Sequence, residues 1–128
     1  MEDQLTLEQR VWQRVRGTGS DGADPEETLA RLIRLGREQT AALRYLDRNL
    51  WQQERDNLVL NTALYRLRFG KTLPGHRPVR PSRQDCRRRA AAMLQLYLRL
   101  ENHRELGALF TDLTGKQRAI CAALEHMQ

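Results

Sequence analysis

Leu50-Trp51-Gln52-Gln53-Glu54-Arg55-Asp56-Asn57-Leu58-Val59-Leu60-Asn61-Thr62-Ala63-Leu64-Tyr65 is the stretch whose pattern decides how this chain is read. Set on a helix, Leu50, Leu58, Leu60, Leu64 and Tyr65 define one wide apolar face, and Glu54, Asn57 and Asn61 fall within it. A carboxylate and two amides inside a core-facing stripe cost free energy unless they are paired. The spacing therefore predicts either a buried, hydrogen-bonded cluster of Glu54, Asn57 and Asn61 or the lining of a site.

Apolar residues at three- and four-residue spacings continue on both sides of this stretch. Asp24-Pro25-Glu26-Glu27 is a helix start, with Asp as N-cap, Pro at the first helical position and acids in the positive first turn. Leu29, Leu32, Ile33, Leu43 and Leu46 carry that helix forward. Its end has two readings: a turn near Asp47-Arg48-Asn49, giving four helices of similar length, or a break at Gly36 followed by one long helix. The first lets the helices bury one another without orphaned ends. Phe69-Gly70 closes the next helix, since Gly is the usual residue just past a helix end. Pro74, Pro78 and Pro81 then make residues 71–81 an extended crossover. Ser82-Arg83-Gln84-Asp85 caps a third helix with the stripe Cys86, Ala90, Met93, Tyr97 and Leu100. A break near Asn102-His103 leads to a fourth, with Leu106, Leu109, Phe110, Leu113, Gln117, Ile120, Leu124 and Met127. Gly115 interrupts that helix and weakens it. Residues 1–24 read as a short N-terminal helix, opened by the capping box Thr6-Leu7-Glu8-Gln9, and a Gly-rich linker; residues 25–128 read as an all-α four-helix bundle.

The bulk properties narrow the function classes. The 128 residues suffice for one domain with a core, and an apolar share of 40% beside 30% charged residues fits a soluble protein. No apolar run approaches the ~20 residues of a membrane span, and the acidic start is unlike a signal peptide, so the cytoplasm is the expected compartment. The net charge of +6 permits contact with nucleic acid. The basic residues are nearly all arginine and are dispersed, however, and Arg87, Arg88 and Arg89 fan around a helix without forming one face. They are expected as solvated surface. Cys86 and Cys121 are expected as small core hydrophobes, and His76, His103 and His126 as solvated loop or terminal residues. Tyr45, Tyr65 and Tyr97 read as core. No nucleophile–base pair, phosphate loop or Cys/His cluster is present, so no catalytic residue is assigned.

Two hairpins joined by a Pro-rich crossover resemble the ferritin-like superfamily, its rubrerythrin-related members in particular. In these, the first and third helices each give a Glu, often with a Tyr seven positions on, and the second and fourth each give Glu-x-x-His to a di-iron centre. The resemblance spans roughly residues 25–128. It maps Glu38 with Tyr45 onto the first element and Glu54 with Asn57 onto the second. Ala90 with Tyr97 takes the third position and Gln117 with Ile120 the fourth. The lost ligands are thus at Asn57, Ala90, Gln117 and Ile120, leaving Glu38 and Glu54 as the only candidate metal-binding acids. The resemblance implies a non-catalytic ferritin-like bundle without its di-metal site and without cofactor. Such a chain would be an interaction or scaffold protein, expected as a homodimer or bound to another protein, with no membrane partner; because the arginines are dispersed, nucleic acid is not the expected partner. The alternatives are an iron- or manganese-binding oxidoreductase with an atypical site on Glu38 and Glu54, and a non-specific nucleic-acid binder.

Overall fold

The computed structural model describes residues 24–75 and 78–127. The expected N-terminal helix and linker, and His76, lie outside these residues. Four helices account for most of the rest: α1 (Pro25–Leu43), α2 (Arg48–Phe69), α3 (Arg83–Glu101) and α4 (Gly107–His126), with no strand among the described residues.

Local chemistry sets most of the helix ends. Asp24 Oδ1 accepts from the Glu26 backbone N–H at 3.0 Å, and Pro25 follows it. Asp47 Oδ1 accepts from Leu50 N–H at 2.9 Å, which starts α2 after a turn at Arg44–Leu46, slightly earlier than expected. Ser82 Oγ accepts from Asp85 N–H at 3.3 Å to start α3. Gly70 closes α2 with φ +66°, the left-handed conformation in which a Cβ would be strained. Gly36, the alternative break point, instead sits buried within α1. A Cβ there would stand 3.2 Å from Leu58 Cδ1, so the missing side chain lets α2 seat closely on α1.

α1 packs on α2 and α3, and α4 packs on α3 and α2. Three contacts fix the directions. Lys71 Nζ lies 2.6 Å from the Glu26 carboxylate, so α2 ends where α1 begins. Gln39 Nε2 donates to Cys86 O at 2.9 Å, so α3 begins toward the far end of α1. Arg87 Nε donates to Leu124 O at 2.9 Å, so α4 ends where α3 begins. The crossover therefore travels the length of the bundle, and each helix runs antiparallel to both of its neighbours. The Arg37 guanidinium holds the crossover at the carbonyls of Leu73 and Pro74.

The interior is divided in two. One apolar cluster gathers Leu29, Leu32 and Ile33 of α1, Tyr65 of α2, Met93 to Leu100 of α3 and Phe110 of α4. The other gathers Ala42, Leu43, Leu50, Cys86, Ala90, Ile120 and Leu124. Between them lies a band of buried polar side chains: Gln39, Glu54, Asn57, Asn61 and Gln117.

Several expected core positions are corrected. The buried residues of α2 are Leu50, Glu54, Asn57, Asn61 and Tyr65, while Leu60 is 51% exposed and Leu58 and Leu64 lie on the flanks. A buried arc centred on Asn57 and Asn61 leaves Leu60 roughly a quarter-turn away, at about 100° per residue. Leu109 is likewise exposed on α4, and Cys121 is only half-buried against the second cluster. Tyr45 lies in the α1–α2 turn and is 73% exposed, because α1 ends two residues before it.

Gly115 lies in the interior of α4 with nothing within 4 Å of where a Cβ would be. Gly115→Ala is expected to raise stability by about 0.5–1 kcal/mol, since only the backbone-entropy penalty of glycine changes. Equal denaturation midpoints for the two proteins would show that α4 is strained there for another reason.

Candidate functional site

Glu54, Asn57 and Asn61 recur at three and four residues on α2, so all three point to the same arc, and all three are buried. Asn61 Nδ2 donates to Tyr97 Oη of α3 at 2.8 Å. Gln117 Nε2 of α4 donates to Ala90 O of α3 at 3.2 Å. From α1, Gln39 Nε2 donates to Cys86 O, while Gln39 Oε1 accepts from Arg89 at 2.9 Å. All four helices thus contribute to one polar layer.

The layer is incompletely satisfied. Both Glu54 carboxyl oxygens, Asn57 Nδ2, Asn61 Oδ1 and Gln117 Oε1 are buried without a hydrogen-bond partner. Burial raises the Glu54 pKa from 4.5 to about 7, with the neighbouring amides of Gln117 and Asn57 opposing part of that rise. The two amides therefore help an anion at Glu54 electrostatically, although they stop short of good hydrogen-bond geometry. The Tyr97 phenol is pushed up by its own burial first and by Glu54 second. Burial also raises the Cys86 and Cys121 thiols, so neither is a ready nucleophile.

A carboxyl titrating near neutrality with unpaired acceptors around it has simple chemistry. Protonated, it becomes a donor, and Asn61 Oδ1 and Gln117 Oε1 are acceptors lacking one. Ionised, it needs donors, and Asn57 Nδ2 is a donor lacking an acceptor. The cluster can accommodate either state but satisfies neither fully. Among the described residues, no three His, Cys, Asp or Glu side chains are grouped to hold a metal ion. One carboxyl flanked by amides supplies too few anionic oxygens for a hard dication.

The positions mapped by the resemblance divide into two sets. Glu54, Asn57, Ala90, Gln117 and Ile120 are all buried, and Gln117 joins Ala90 while lying beside Glu54. Glu38 does not join them. It lies half-buried on the flank of α1, two residues from Gly36 and so roughly 160° around the helix from it. Its neighbour Gln39 occupies the interior instead. Glu38 thus lies half-buried on the flank of α1 and Tyr45 in the exposed α1–α2 turn.

Sequence reasoning also missed the work of the arginines. Arg89 is half-buried on Gln39, and Arg87 crosses from α3 to cap the carbonyls of Leu124 and Met127 at the end of α4. Only Arg88 of the three is solvated surface. The phase of Gln39 with Leu32 and Leu43 was a usable signal for its burial; the arginine contacts, 37 to 50 residues apart, left none. His103 is half-buried rather than solvated, and its Nδ1 accepts from Glu105 N–H at 3.2 Å. No described helix is long and apolar enough to cross a membrane. Comparison with known proteins adds no relative: no family model matches the sequence, and neither curated proteins nor solved structures give a significant match.

Because the folded-state pKa of Glu54 lies above its unfolded value, the stability linked to this group is full below about pH 4.5. It is lost as pH rises toward and through about 7. A gap of this size corresponds to on the order of 3 kcal/mol. Glu54→Gln keeps the shape and cannot ionise. From pH 4.5 to pH 8 the wild type should therefore lose stability relative to this variant, as read by denaturant unfolding at both pH values. Parallel pH profiles would show that Glu54 is solvated in solution.

Proposed function

We propose that the chain is a non-catalytic helical bundle of ferritin-like ancestry that has lost its di-metal centre and acts as an interaction or scaffold protein. The observation that carries this reading is that Glu54, Asn57, Ala90, Gln117 and Ile120 are all buried, with Gln117 beside Glu54 and bonded to Ala90 O. These are positions the resemblance assigns to the second, third and fourth helices, and their shared inward phase supports that register. A crossover running the length of the bundle between two antiparallel hairpins is also what that ancestry implies. The residues now at those positions are one carboxyl, two amides and two hydrocarbon side chains, which is a donor set unsuited to iron or manganese.

The interaction role draws on the outer surface of α2. Val59, Leu60 and Leu67 are 53%, 51% and 83% exposed and fall on one side of the helix, away from the bundle interior. Leucine and valine side chains aligned in this way are a surface that self-association would cover. The occupant assigned to it is a second copy of the chain.

Three measurements test the reading. Elemental analysis of protein purified without chelator is expected to find no stoichiometric iron, manganese or zinc. Two metal ions per chain would replace this proposal with the oxidoreductase reading. Restoring the ligand set through Asn57→His, Ala90→Glu, Gln117→Glu and Ile120→His should recover iron affinity if the ancestral register is right, while lowering apo stability by burying charge. Analytical ultracentrifugation should separately find a dimer that Leu67→Glu converts to monomer. A wild-type monomer at high micromolar concentration would remove the homodimer from the proposal.

A further inference from the structure

A cleft of about 370 Å³ opens on the surface at the C-terminal end of α1, built by three separate segments of the chain. The last turns of α1 contribute Arg37, Ala41 and Arg44 as one wall. Tyr45 from the α1–α2 turn and Trp51 from the first turn of α2 form the aromatic end. Pro78 and Val79 of the crossover close the third side. We propose that this cleft binds a small planar organic anion, an aromatic or heteroaromatic ring carrying a carboxylate or phosphate.

The chemistry of the lining argues for both halves of that ligand. Among the described residues its charged groups are two guanidiniums, and no described carboxylate lines the cleft. An arginine fork matches the paired oxygens of a carboxylate or phosphate. Arg37 is already oriented: its Nη1 is spent on the carbonyls of Leu73 and Pro74, which holds the guanidinium plane and leaves its other N–H groups without a partner among the described residues. Less side-chain freedom is therefore lost on binding.

The aromatic half rests on different residues. Tyr45 is 73% exposed next to Arg44, so its ring is open to a stacking partner. The Trp51 indole is fixed by packing on the core cluster around Leu50, with the Arg55 guanidinium over its ring at 5.8 Å from the centroid. The volume suits a ligand of mononucleotide size or smaller, and the apolar Ala41, Pro78 and Val79 provide contact area without competing charge. This assignment is independent of the ancestry of the bundle, since none of its residues belongs to the buried polar layer.

Fluorescence tests it. The chain has two tryptophans, so in the Trp12→Phe variant all tryptophan emission comes from Trp51. Titration with AMP (ring plus phosphate) and with 1-naphthoate (ring plus carboxylate) should give a saturable change for at least one of them. Adenosine and inorganic phosphate, each supplying only half of the recognition, should bind about tenfold more weakly or worse. Arg44→Gln and Tyr45→Ala alter exposed side chains and so should leave thermal unfolding unchanged while weakening the ring-bearing anion about tenfold. Whichever of AMP or naphthoate binds tells phosphate from carboxylate. The proposal is overturned if neither ring-bearing anion saturates the signal, if phosphate alone binds as tightly, or if both variants bind as the parent does.

Discussion

The bundle closes over a carboxyl group that it does not fully satisfy, and much of its organisation follows from that burial. On α2 the inward arc runs Leu50, Glu54, Asn57, Asn61 and Tyr65, so three of the five side chains sent to the interior are polar. Desolvating them consumes part of the free energy gained by the apolar clusters on either side. Glu54 responds as buried carboxyls do, by holding its proton to higher pH rather than remaining an unpaired anion. The other helices answer with groups that hydrogen-bond without adding charge: Tyr97 from α3, Gln117 from α4, and Gln39 tied to the α3 backbone from α1. Arg89 is spent on Gln39.

This arrangement also explains how the charge balance is used. A chain with a net charge of +6 and mostly arginine as its base invites a nucleic-acid reading. In the folded chain several of those arginines serve the protein's own carbonyls and amides. Arg87 caps the end of α4, Arg89 holds Gln39, and Arg37 anchors the crossover. Guanidinium suits such duty because its planar fork of donors can serve two acceptors at once. The exposed ion pairs, such as Arg68 with Glu105 and Lys116 with Asp112, add little by comparison in water.

What could be read from the sequence was governed by how local each decision is. Asp24 before Pro25, Asp47, Ser82 and Gly70 act on residues within a turn of themselves, so the number of helices and nearly all their ends were legible. The inward turning of Glu54, Asn57 and Asn61 was legible too, because three polar residues in phase define an arc. Errors came where a residue's fate depends on a distant partner. Leu60 and Leu109 look like core by composition, but the arc α2 or α4 presents is chosen by the helices across from it. Glu38 and Gln39 are adjacent, and the phase of Gln39 with Leu32 and Leu43 was the one local sign of which faces inward. Tyr45 depended on α1 stopping at Leu43 rather than continuing to Leu46.

The two short turns and the one long crossover have a kinetic side. Within each hairpin the paired helices are separated by only a few residues, so closing them costs little loop entropy, whereas joining the hairpins must close a much longer segment. Glu54, Asn57 and Asn61 belong to the first hairpin, Tyr97 and Gln117 to the second. Neither hairpin alone can dehydrate the carboxyl. Burial of Glu54, and the proton uptake it brings, therefore requires both hairpins together, so pH acts on the packed bundle rather than on either hairpin alone.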